Sequence, residues 1–191
     1  MRIVVLGWGS LCWERRGLRI RGDWQTDGPR LPIEFARVSA SRKGSLTLVL
    51  FPRSRRVRVL WTEMNFTTMG KAIENLREAE GTTKDNIGWI DLHNPRNNNC
   101  KALRTALDVI KRWARKKNFD AVVWTDLSSN FRKKTKKRFN EDNVIAYLQS
   151  LDGVASQKAE EYIRKAPRQT NTRMRYAIEE RLGWTRTGND S

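Results

Sequence analysis

The first apolar run, Ile3-Val4-Val5-Leu6, is short and unbroken, and it ends abruptly in Gly7-Trp8-Gly9-Ser10-Leu11. A run of that length bounded by glycine reads as a strand followed by a turn. From Cys12 to Pro29 the chain is arginine-rich and keeps no sustained period, which predicts an irregular excursion across the surface. Ile33 to Val38 alternates, with Ile33 and Phe35 on one face and Glu34 and Ala36 on the other. After the turn Arg42-Lys43-Gly44, Leu46 to Phe51 is apolar except at Thr47, the pattern of a strand buried on both faces. Pro52 to Arg56 turns the chain again, and Val57 to Thr62 gives a further strand. Three consecutive strands joined by short turns predict an antiparallel meander.

At Met69 the period changes. Met69, Ile73 and Leu76 are spaced four and three apart, as on one face of a helix, and Gly81 supplies the stop. Ile87 to Leu92 returns as a strand. Strands, one helix and a returning strand make an α+β unit able to curl into a small mixed barrel-like β core. The polar, asparagine-rich stretch His93 to Asn99 marks a boundary, so residues 1–95 are read as a core and 96–184 as a largely helical, basic extension packed on it. In the extension Leu103, Ala106, Leu107, Ile110, Trp113 and Ala114 form one helical stripe. Asp120 to Trp124 is a strand placed to add to the sheet, and Ser128 to Lys137 is a loop. Asn140 caps a helix running to Leu151 and ended by Gly153; a short helix from Ser156 stops before Pro167; a last one, capped by Thr172, reaches Leu182 with Gly183 beyond it. Residues 185–191 read as a flexible tail.

Composition narrows the chemistry. The 191 residues are 38% hydrophobic, low for a compact domain, but eight tryptophans bury much area per residue. Cys12 and Cys100 give neither a disulfide framework nor zinc spacing, and His93, the single histidine, sits in a polar loop. No metal and no nucleotide cofactor is called for. No apolar stretch approaches the 18 or so residues of a membrane span, and the opening Met-Arg-Ile-Val-Val-Leu is too quickly interrupted for a signal peptide. The expectation is a soluble, cytoplasmic protein with no membrane partner. A formal net charge of +17 points to an anionic partner or substrate, or to a solubilising surface.

Two stretches carry candidate chemistry. In Gly7-Trp8-Gly9-Ser10-Leu11 two glycines two apart free the backbone for positive φ or for close approach by another molecule. Successive N–H groups in such a turn can bind an anion or a polarised carbonyl; a tight turn without ligand has the same pattern. In Asn75 to Gly81, extending the Met69–Ile73–Leu76 stripe by four lands on Glu80, while Glu74, Arg77 and Glu78 fall away from that seam. An inward carboxylate at a helix end tends to have its pKa raised by desolvation, as a general acid/base requires. Alternatively, Glu80 reaches out to solvent at the frayed terminus. Arg37 is a candidate partner for a substrate carboxylate, against the reading of a strand arginine on an exposed face. Glu34 and Asp126 are rival carboxylates with structural readings as turn or cap partners. Ser10 and Cys12 have no neighbouring base in sequence that would activate them as nucleophiles.

The glycine turn and the later Leu76-x-x-x-Glu80-Gly81 together resemble the γ-glutamylcyclotransferase-like family, over roughly residues 2–92. Trp8-Gly9-Ser10-Leu11 stands for that family's loop after the first strand, and Glu80-Gly81 for its glutamate and glycine. Trp8 stands where the family usually has tyrosine, and an indole offers only an N–H donor. The resemblance implies a mixed barrel-like fold and a cofactor-free enzyme acting on a small γ-glutamyl substrate. Such an enzyme closes the γ-glutamyl group to 5-oxoproline and releases an amine or amino acid. Glu80 would serve as general acid/base, and Gly7, Trp8, Gly9, Ser10 and Leu11 would bind the substrate.

A binding module is the opposing class. Lys101 to Arg138 carries 13 Lys and Arg against 3 Asp, and Arg132, Lys133, Lys134, Lys136, Lys137 and Arg138 lie within seven positions. Trp113, Trp124 and Phe131 are interleaved with this charge. Basic charge with aromatic platforms is how non-specific nucleic-acid binding is built, although a charge run also makes a solvated surface and the stripe places Trp113 in a helix core.

Overall fold

A computed structural model of the chain describes residues 1–94, 96–101 and 104–187. In chain order the elements are β1 (Ile3–Gly7), β2 (Ile20–Gln25), β3 (Arg30–Val38), β4 (Leu46–Leu50), β5 (Arg56–Arg58), β6 (Leu60–Met64), α1 (Met69–Glu80), β7 (Ile87–Asp91), β8 (Asn98–Asn99), α2 (Arg104–Lys116), β9 (Ala121–Thr125), α3 (Phe131–Thr135), α4 (Glu141–Gln149), α5 (Gly153–Lys165) and α6 (Arg173–Leu182).

The strands form two sheets of mixed α+β architecture. The larger has the order β2-β6-β1-β9-β7-β8 and the smaller β4-β3-β5. Strand β1 runs antiparallel to β6 and parallel to β9, and β9 runs antiparallel to β7. All five residues of β1 are buried. Period-two alternation divides them between two apolar clusters. Ile3 and Val5, with Ala121 and Val123 of β9, pack against Ile73 and Leu76 of α1. Val4 and Leu6, with Val122 and Trp124, join the second cluster with Phe35 of β3, Ile110 of α2 and Ile163 of α5. Gly88 faces Trp124 across the β7–β9 pair, and a Cβ there would lie 2.2 Å from the indole. Only glycine lets this fully buried ring lie across β7.

Several expectations change. The barrel does not occur: among the described residues both sheets are open. The meander is also absent, because β5 pairs with β3 rather than with β4. The expected single strand over residues 57–62 divides at Val59, whose N–H bonds to the carbonyl of Pro29 (3.1 Å), and its halves enter different sheets. The expected excursion after Cys12 contains β2, an exposed edge strand paired to β6 with a register shift. Part of the expected basic loop is the short helix α3. Gly153 opens α5 instead of simply ending α4.

The two parts of the chain meet in one sheet and one core: β9 lies between β1 and β7, and residues from Val4 to Ile178 share the second cluster. Helix α1 has the expected bounds, with Thr68 as N-cap and Gly81 in the left-handed region (φ 57°) as C-cap. The caps expected at Asn140 and Thr172 accept the N–H groups of Asn143 and Arg175. In the α2 stripe, Ala106, Leu107, Ile110 and Ala114 are buried, while Leu103 lies outside the described residues. The expected tail is tied down at its start, where Arg164 Nε donates to the Thr185 carbonyl (2.9 Å); residues 188–191 lie outside the described set. No helix of the described residues is long and apolar enough to cross a membrane.

Candidate functional site

Parallel pairing of β1 and β9 brings their C-terminal ends side by side, and the chain leaves both ends along one edge of the sheet. Ligand sites in sheets containing parallel strands commonly lie off such ends. Here Gly7 closes β1, Thr125 closes β9, and Glu80 closes α1. All three line one cavity of about 110 Å³, together with Trp8, Gly9, Ser10, Leu11, Arg16, Arg37, Arg42 and Tyr162. The loop and the glutamate, about seventy residues apart in sequence, therefore face the same space.

The Glu80 side chain is 20% exposed, compared with 61% for Glu78. Its position is fixed at both oxygens: Oε1 accepts from the Thr125 hydroxyl (2.8 Å), and Oε2 accepts from Nη2 of Arg16 (3.1 Å). The same Nη2 donates to Ser10 Oγ (3.0 Å), so one guanidinium ties the loop to the carboxylate. The inward reading of Glu80 is the one realised, but as a paired carboxylate and not an isolated one among apolar groups.

After β1 the chain makes a short 3-10 turn over Ser10–Cys12, in which the Cys12 N–H bonds to the Gly9 carbonyl (3.0 Å). Among the described residues no backbone acceptor meets the N–H groups of Gly9, Ser10 or Leu11. Trp8 and Leu11 are buried in the two different apolar clusters and so pin the turn from both sides of the sheet. Neither Gly7 nor Gly9 has positive φ; Gly9 is extended at φ −122°, ψ −154°. Glycine is required there for space. A Cβ on Gly7 would lie 2.6 Å from the Trp24 ring, and one on Gly9 would lie 2.7 Å from the Tyr162 hydroxyl.

Cys12 is the last residue of the turn. Burial, reinforced by the Glu80 carboxylate, pushes its thiol far above the ordinary cysteine value, so it is held protonated. Arg37 is half-buried rather than fully exposed. Its Nη1 donates to the Ser128 carbonyl (2.8 Å), and burial lowers its pKa from the usual arginine value without discharging it. Arg42 pairs with Glu14 (2.9 Å). The rival carboxylates do not line the cavity. Glu34 is buried and accepts from the N–H groups of Phe35 (3.0 Å) and Met174 (3.3 Å), the latter in the first turn of α6. Burial raises its pKa against those hydrogen bonds and one from Thr172. Asp126 accepts from the Lys101 N–H (2.5 Å). Among the described residues no group of three or more His, Cys, Asp or Glu is arranged to hold a metal ion.

The alternative basic site is spread over α3 and the turn after it. Arg132, Lys133, Lys134, Lys136, Lys137 and Arg138 are all exposed. Its aromatic partners face elsewhere: Trp124 and Phe131 are fully buried, and Trp113 stacks edge-on with Trp61 at 5.7 Å. Any anion bound here would meet charge without a stacking platform.

Arg16, Thr125 and Tyr162 belong to the cavity but were not singled out from the sequence. Arg16 sat in a stretch without period. Tyr162, with Ala159, Ile163 and Ala166, reads as an ordinary inward helix stripe. Nothing in that stripe shows where its hydroxyl ends. Compared with family models, curated proteins and solved structures, the chain matches none.

Proposed function

We propose that the protein is a γ-glutamylcyclotransferase-like enzyme, converting a γ-glutamyl amide to 5-oxoproline and a free amine or amino acid. The observation that carries this reading is the shared cavity of Glu80 and the Gly7–Leu11 turn. The two stretches that resemble the γ-glutamylcyclotransferase-like family are far apart in sequence and adjacent in space.

In the reaction the substrate's α-nitrogen attacks its own γ-carbonyl carbon. A new C–N bond closes the five-membered ring, and the amide C–N bond breaks. The α-ammonium sheds two protons and the leaving nitrogen gains two, so no water is consumed. Nucleophile and electrophile are already tethered, and the site need only hold the folded rotamer. Glu80, fixed by Thr125 and Arg16, accepts a proton from the α-nitrogen and returns one to the leaving nitrogen. The uncommitted N–H groups of Gly9, Ser10 and Leu11 stabilise the oxygen as it takes up negative charge. Arg37 is the cation available for a substrate carboxylate, because Arg16 and Arg42 already have carboxylate partners.

The reading is tested by incubating the protein with a panel of γ-glutamyl amino acids and γ-glutamyl amines and measuring 5-oxoproline. Release from at least one member is expected. No release from any member at high enzyme concentration would refute it.

A further inference from the structure

Helix α5 contributes Tyr162 to the lining of the cavity that holds Glu80. We propose that Tyr162 is a catalytic residue of this site, its phenol O–H donating a hydrogen bond to the γ-carbonyl oxygen as that oxygen becomes anionic. The inference rests on the cyclotransferase reading and assigns a chemical part to the C-terminal region.

Four observations converge on it. Tyr162 lines the cavity, and its hydroxyl lies so close to Gly9, another lining residue, that a Cβ on Gly9 would sit 2.7 Å from it. It therefore stands next to the N–H groups of the turn. The hydroxyl oxygen accepts from the Leu48 N–H (3.4 Å), on the edge strand β4, while its own proton has no acceptor among the described residues. A buried phenol normally finds a partner for that proton. Of the other two tyrosines, Tyr147 donates to the Gly44 carbonyl (2.6 Å) and Tyr176 is exposed.

The ring is also held still. Trp13 meets it edge-on at 5.3 Å, Phe35 at 6.4 Å, and the Arg42 guanidinium stands 5.3 Å from its centroid. A donor fixed before the charge develops needs no reorganisation during reaction, the condition for strong oxyanion stabilisation. Finally, burial and the nearby Glu80 carboxylate push the Tyr162 pKa far above the usual tyrosine value. The phenol stays neutral, which suits a hydrogen-bond donor and divides the labour with Glu80.

The test compares steady-state kinetics of wild type and Tyr162→Phe on a γ-glutamyl substrate that wild type turns over. Loss of one oxyanion donor costs about 10²–10³-fold in kcat, and a fall of that order with KM little changed is expected. A second variant carries 3,5-difluorotyrosine at position 162, which keeps the shape of the ring and the Leu48 contact. Its more acidic phenol should bring an activity loss at alkaline pH that wild type lacks. Normal kcat in Tyr162→Phe, or an unchanged pH profile in the fluorinated protein, overturns the assignment while leaving the cyclotransferase reading intact. If Tyr162→Phe fails to fold, the fluorinated protein decides alone. Absence of any 5-oxoproline from wild type overturns both.

Discussion

A single methyl group added at Gly9 tests the geometry of the cavity without reference to any substrate. In Gly9→Ala the new Cβ would lie 2.7 Å from the Tyr162 hydroxyl and 3.9 Å from the ring carbon that bears it. Ordinary contact begins near 3.4 Å, so the hydroxyl must retreat by more than roughly half an ångström. It has little room, because Trp13, Phe35 and Arg42 surround the ring. Overpacking of this kind typically costs about 1–3 kcal/mol. The backbone of Gly9 is extended, so alanine carries no φ penalty there. Removing the hydroxyl removes the clash, since the nearest remaining atom is at van der Waals distance. In a Tyr162→Phe background, Gly9→Ala should therefore be neutral, or stabilising by about 0.4–1 kcal/mol through the unfolded chain's lost freedom. Urea denaturation of the four proteins, followed by tryptophan fluorescence, gives the double-mutant cycle. A coupling of about 1–3 kcal/mol is expected. If the cost of Gly9→Ala is the same in both backgrounds, the hydroxyl does not abut Gly9 and the cavity is built differently.

Two further predictions concern charge. Because burial raises the Glu34 pKa, its protonated form favours the fold. That stabilisation is complete below the unfolded glutamate value, near 4.3, and is lost as pH rises through the folded value. Wild type should thus lose stability relative to Glu34→Gln as pH rises from about 4 towards neutrality, and a gap that stays constant in urea midpoints refutes this. If the exposed run on α3 binds nucleic acid, affinity for a single-stranded oligonucleotide should fall steeply with salt, as counterion release requires. Changing Lys133, Lys134, Lys136 and Lys137 to Gln should then flatten the slope; no binding even at low salt leaves these residues as a solvated surface.

Legibility in the sequence followed the range of the interactions. Helix α1 and the inward Glu80 could be read because the stripe and the glycine stop are both local. The helix ends at Asn140 and Thr172 were legible for the same reason. Strand β2 was not, because in Ile20-Arg21-Gly22-Asp23-Trp24-Gln25 only Ile20 and Trp24 pack on the core, both partly, and Gly22 between them interrupts any apolar alternation. The change of sheet at Val59 is set by a hydrogen bond to Pro29, thirty residues earlier, and leaves no mark on the run itself. At the cavity, the turn and Glu80 announced themselves, whereas Arg16 and Tyr162 did not. Their roles depend on packing across 64 and more than 100 residues of chain respectively. At Gly9 the expected positive φ does not occur, and the space for a Cβ is taken by Tyr162, a contact that the local sequence does not announce.

The central claim is that Glu80 moves the proton in the cyclisation, and it is tested most directly by 5-oxoproline release from wild type, Glu80→Gln and Glu78→Gln on the same γ-glutamyl substrate. Glu80→Gln can still accept from Thr125 but cannot take up a proton near neutral pH. Its kcat should fall about 10²–10⁴-fold while substrate binding is kept. Glu78→Gln, on the exposed side of α1, should behave as wild type. A Glu80→Gln protein that releases 5-oxoproline at the wild-type rate would contradict the account.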